Sequence, residues 1–128
     1  RGLGDVYKRQ AHKFDEACVQ FAKTFPKIIR EIRAVNPDVK IYADNIYNPA
    51  KGIDAFSQVY SVADAYINRM NRGFYPSDEY VLVDIKKCFD GEKESMVNLS
   101  FKGREIDPHP SEKGHKKIAQ MVIKAMER

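Results

Sequence analysis

The chain has 128 residues and a mass of 14.7 kDa, enough for one hydrophobic core and too little for two. Hydrophobic residues at 43% and charged residues at 31% exclude a disordered or collagen-like chain, and no run approaches the roughly 20 apolar residues of a membrane-spanning helix. The net charge of +4 falls to 19 basic against 17 acidic residues once positions 1–10 are set aside, and the interleaving of the two signs argues against a nucleic-acid partner.

Residues 1–10 (RGLGDVYKRQ) show no clear period and no apolar leader segment. They resemble the junction peptide found at the ends of translated fragmentary reading frames, and they are set apart from the fold proper, residues 11–128. From Ala11 to Val35 the apolar positions Phe14, Cys18, Phe21, Phe25, Ile28 and Ile32 are spaced 4, 3, 4, 3, 4. That spacing predicts an amphipathic helix, with a kink or a split at Pro26 and an end at Asn36-Pro37. Val39 to Ile46 is rich in β-branched and aromatic residues and predicts a strand, broken by Tyr47-Asn48-Pro49. A second helix is predicted over Ile53 to Met70, with Phe56, Val59, Tyr60, Ala63, Tyr66, Ile67 and Met70 inside and Gly73 as its stop. Tyr80 to Asp84 predicts a strand buried on both faces. Ile85 to Phe89 predicts one helical turn closed by Asp90-Gly91. Glu92 to Glu105 has no firm period and predicts a long loop, with a short strand at Met96 to Leu99 as an option. Ser111 is a good N-cap for a last helix, Glu112 to Met126, whose buried stripe is Ile118, Ala119, Val122, Ala125 and Met126. Alternating helices and strands predict an α/β sandwich with a parallel sheet. Two strands make that sheet thin, so the chain reads as part of a larger fold, with an unpaired edge open to self-association.

Cys18 and Cys88 form no C-x-x-C pair, which excludes a cysteine-based zinc site. Cys18 lies on an apolar stripe and reads as a buried thiol; a disulfide between the two stays open. His115 has no third ligand at suitable spacing, and no metal site is assigned.

Ligands of parallel sheets bind at the carboxyl ends of the strands. Three segments qualify: Asn45 to Asn48, Asp84, and Asp107-Pro-His-Pro110. In the last, a carboxylate two residues before an imidazole can orient the ring, so that its other nitrogen serves as a base. Pro108 and Pro110 fix two φ angles around His109 and stiffen the loop. Tyr47 and Asn48 are candidates to line a substrate pocket, with a tight turn as the alternative role of Asn48. Asp84 reads as a structural hydrogen-bond partner. None of Ser57, Ser61, Ser77, Ser95, Ser100 and Ser111 has the context of a nucleophile elbow.

The run Asp107-Pro-His-Pro-Ser-Glu-Lys-Gly-His-Lys-Lys-Ile-Ala119 closely resembles the last block of the SGNH hydrolases, the GDSL-type lipases and acylhydrolases. Asn36-Pro37 followed by a strand and Asn45-Ile-Tyr-Asn-Pro49 is similar to a segment of bacterial members. The similarity spans roughly Phe14 to Met126, the terminal block being its most specific part. The resemblance implies a flavodoxin-like three-layer α/β/α sandwich with a parallel sheet, of which this chain is the C-terminal portion. It also implies hydrolysis of small-molecule or lipid esters by a serine nucleophile, with no cofactor, His109 as general base and Asp107 as its orienting acid. Two features depart from the pattern. The family places the Asp three residues before the His, whereas Asp107 is two before His109. The Gly-Asp-Ser and Gly-x-Asn-Asp blocks, which carry the nucleophile and oxyanion-hole donors, do not occur in this sequence. The chain alone is therefore expected to be inactive. Family members are often exported, and a secreted or cell-envelope location stays open. A non-catalytic α/β binding module is the alternative.

Overall fold

The computed structural model describes residues 2–51, 57–98 and 107–128. The element order is α1 (Leu3–Val35), β1 (Tyr42–Asp44), α2 (Ser57–Asn71), β2 (Val81–Val83), α3 (Ile85–Asp90) and α4 (Glu112–Met126).

α1 forms where the 4, 3, 4 spacing places an apolar row, and it ends at Asn36 as the following proline requires. It is not split at Pro26: the helix is continuous for 33 residues. Phe25 and Ile29, on either side of the proline, are both buried, and this packing offsets the lost backbone bond. The helix also extends back through residues 3–10, where the sequence shows no period. Residues 4–6 and 8–10 of this stretch are exposed. Arg33 then ties the end of α1 to the sheet. Its guanidinium donates to the carbonyls of Pro37 (3.1 Å), Val39 (3.2 Å) and Glu79, fixing the approaches to both strands.

β1 and β2 are parallel, in the register Tyr42 to Val81, Ala43 to Leu82 and Asp44 to Val83. Because side chains alternate across a strand, the sheet has two different faces. Ile41, Ala43 and Tyr80 join Phe25 and Ile29 of α1 in one cluster. Tyr42 and Val83 join Ile85, Phe89, Met96 and the inner row of α4 in the other.

Four expectations need correction. The described residues are 60% helix and 7% strand, with only a two-stranded sheet; this is not a flavodoxin-like three-layer sandwich. The run Val39 to Ile46 yields only three strand residues, since among the described residues β1 has one neighbour to bond to. β2 is not buried on both faces: Val81 and Leu82 are 43% and 41% exposed. Within the helices, Ile28, Ile32, Val59, Tyr66, Ala119 and Met126 are exposed, while Ile29 is buried in place of Ile28 and Met121 packs on the core. On α2 the half-buried positions are Tyr60, Ala63, Asp64, Ile67, Met70 and Asn71, so of the described expected residues only Val59 and Tyr66 fall outside the stripe. Phe56 and the proposed strand end at Leu99 lie outside the described residues. Both cysteines are free, Cys18 buried and Cys88 half-buried. Among the described residues no helix is long and apolar enough to cross a membrane.

Candidate active site

The segment Asp107 to Ser111 is held from three sides. Asn98 N–H donates to His109 O (2.9 Å), and the Asn98 side-chain amide donates to Pro110 O (3.2 Å). Ser111 sends its N–H (2.8 Å) and its hydroxyl (3.2 Å) to Met96 O, and accepts from Gly114 N–H (3.1 Å) as the N-cap of α4. Pro110 pairs with Val97 in an isolated antiparallel bridge. Gly114 is required by this packing, because a Cβ there would overlap Met96 O and lie 3.1 Å from Pro110 Cβ. The third tether is Tyr47, whose hydroxyl donates to Pro108 O (2.7 Å) while its ring packs on Phe89 at 5.0 Å between centroids. Tyr47 lies just beyond the carboxyl end of β1, so the segment stands at the carboxyl-terminal rim of the sheet.

Within it, Asp107 Oδ1 accepts the backbone N–H of His109 (3.0 Å) and contacts the ring Nδ1 at 2.6 Å. A spacing of two is therefore enough for contact. The backbone N–H of His109, then its ring, hold the Asp107 carboxyl below the usual carboxylate range. An ionised carboxylate can only accept, so the contact places the imidazole proton on Nδ1 and leaves the Nε2 lone pair free. The His109 side chain is 80% exposed, and Nε2 is open to an incoming hydroxyl. Tyr47 has its phenol pKa raised by burial and, second, by the Asp107 charge, so it stays a neutral donor.

Asn48 is 1% exposed and its side chain faces inward. It accepts from Ala50 N–H (3.0 Å), closing the turn, and donates to Tyr60 O (3.0 Å). Asp84 caps α3 by accepting from Lys87 N–H (3.1 Å), and it accepts from the Asn45 amide (2.7 Å). His115 is exposed on α4, and His12 pairs with Glu16 (2.9 Å) on the solvent face of α1.

Sequence reasoning missed Asn98 and a polar cluster beside the strand ends. Lys86 Nζ lies 2.8 Å from Asp64 and 2.6 Å from Asp90, with only 13% of its side chain exposed. Burial alone would lower the ammonium pKa, but the hydrogen bonds to both carboxylates outweigh it and hold it above its ordinary value. The same lysine holds the Asp64 carboxyl below its ordinary value. Lys86, Asp84, Asp90 and three asparagines line a cavity of about 320 Å³. The i,i+4 spacing of Lys86 and Asp90 was a readable signal; the separation of 22 between Asp64 and Lys86 gave none. Among the described residues no three His, Cys, Asp or Glu side chains are grouped to hold a metal ion.

No family model, no curated protein and no solved structure matches this chain.

Proposed function

We propose that this chain supplies the acid–base half of a serine-dependent carboxylic-ester hydrolase of the SGNH type. The observation that carries the reading is the contact of Asp107 with His109 Nδ1 at 2.6 Å on a tethered loop at the strand ends. An imidazole with one nitrogen fixed by a carboxylate and the other open is the arrangement that general-base activation of a hydroxyl requires. In this scheme His109 Nε2 takes the serine proton as the oxygen attacks the ester carbonyl, and then returns it to the leaving alkoxide. Water repeats the sequence to release the acid. Asp107 stabilises the imidazolium formed in each half, and Tyr47 holds the loop through Pro108. The resemblance of residues 107–119 to the terminal block of that family supports the same assignment. The serine and the oxyanion-hole donors come from outside these 128 residues, since this sequence holds neither block.

The test begins with the coding sequence upstream. About a hundred preceding residues should contain a Gly-Asp-Ser followed by a Gly-x-Asn-Asp. The complete product should hydrolyse p-nitrophenyl esters, and His109→Gln should lower kcat by about a thousandfold or more. Absence of both motifs, or a variant that keeps full activity, overturns the reading.

A further inference from the structure

A general base needs a fixed place as well as the right tautomer, and the Asp107 contact secures only the tautomer. That contact lies within the loop and would travel with it. The place of the imidazole depends on what ties the backbone of His109 to the rest of the fold. Asn98 does so with two donors. Its backbone N–H donates to His109 O (2.9 Å), and its side-chain amide donates to Pro110 O (3.2 Å). These two carbonyls belong to successive peptide planes, one of them the histidine's own, so a single residue fixes the loop at the base itself.

Asn98 stands on firm ground. It follows Met96 and Val97, both buried. The bonds from Asn98 to His109 and from Ser111 to Met96 flank the Val97 to Pro110 bridge, so the N–H that proline lacks leaves no ladder bond unmade. The Asn98 amide also acts on the carboxylate. After the backbone N–H and the ring of His109, it is the last contributor to the lowering of the Asp107 pKa. The residue is exposed and belongs to neither apolar cluster, so shortening its side chain leaves both intact.

We propose that Asn98 is a positioning residue for the His109 base, its two amides on the carbonyls of His109 and Pro110 setting where the imidazole stands. The role rests on the reading of His109 as a general base, and the test separates the two.

Carbon relaxation of the His109 ring in the 128-residue chain reads its mobility directly. The unaltered ring should be ordered. Asn98→Ala should lower its order parameter below about 0.6, the range of flexible groups, while the Nδ1 proton stays in place because the Asp107 contact is local. Asn98→Gln, which keeps a donor, should recover part of the order. Asn98→Asp, which keeps the size but sets an acceptor against Pro110 O, should not. In the complete hydrolase, Asn98→Ala should lower kcat about tenfold or more with KM within about twofold. A ring as ordered in Asn98→Ala as in the unaltered chain overturns the proposal, as does a Gln variant no better than the Asp variant. If Asn98→Ala fails to fold, the Gln and Asp variants decide. Full kcat in Asn98→Ala beside an impaired His109→Gln removes the positioning role alone. Full kcat in both removes the base, and this role with it.

Discussion

At the scale of single residues, the Asp107 to His109 contact is closed within three positions. It needs no distant element to form, only the two prolines that limit the backbone around it. Its consequence is a fixed tautomer. Nitrogen-detected NMR of the histidines should find His109 protonated on Nδ1 at neutral pH, and Asp107→Ala should abolish that preference while leaving His12 and His115 unchanged. An Nε2-protonated ring in the unaltered protein would remove the base from the scheme. The sign of the pH effect follows from the lowered Asp107 pKa. The ionised acceptor persists through neutral pH, and the ring contact is lost only in acid, as the pH falls through the lowered Asp107 pKa. These two residues were legible in the chain because they are sequence neighbours. Asn98 was not, because nothing local marks a residue whose partners stand eleven and twelve positions away.

At the scale of elements, α4 shows how a helix start can fix a loop. Its range, Glu112–Met126, and its Ser111 cap agree with the pattern read from the chain, since capping and period are both local. The position of its first turn against Met96 depends on Gly114, which has backbone of another segment where a side chain would be. Ser111→Ala should cost about 1 kcal/mol by chemical denaturation, the usual value of a lost N-cap. Gly114→Ala should cost more than Ser111→Ala even though alanine is the better helix former. A stabilised Gly114→Ala would show that the close approach to Met96 is not required. Gly73 plays a similar part beneath α1, where a Cβ would overlap the Phe21 ring, so its role is more than that of a stop signal.

At the scale of the molecule, the Lys86 group fastens α2, which contributes to neither apolar cluster, to α3, which packs in one of them. This lysine joins α3 to α2 through Asp64 and is itself largely enclosed. Its pKa is raised, so its contribution is full below about pH 10 and lost only as the pH climbs through the folded value. The Asp64 pKa is lowered, so its contribution is present above about pH 4 and lost as the pH falls through its folded value. The pair therefore stabilises across the neutral range. Lys86→Met should cost about 3 kcal/mol at pH 7, because two half-buried carboxylates lose their cation. It should also reverse the pH dependence of the melting temperature, which would rise rather than hold as the pH is lowered from 7 to about 5. An unchanged profile would show that solvent screens the group.

What the chain determined by itself is local: the helical character of α1 and α4, the helix stop at Asn36-Pro37, the cap at Ser111, and the Asp107 to His109 contact. Each depends on groups within about one or two turns of one another. What only the tertiary structure decided is which apolar residues are covered. The exposure of Leu82 and Val59, the enclosure of Asn48 and the Lys86 cluster all depend on which element lies alongside. Hydrophobic period identifies a face that can be buried, but burial needs a second surface, and the two strands and four helices of the described residues supply too little of it.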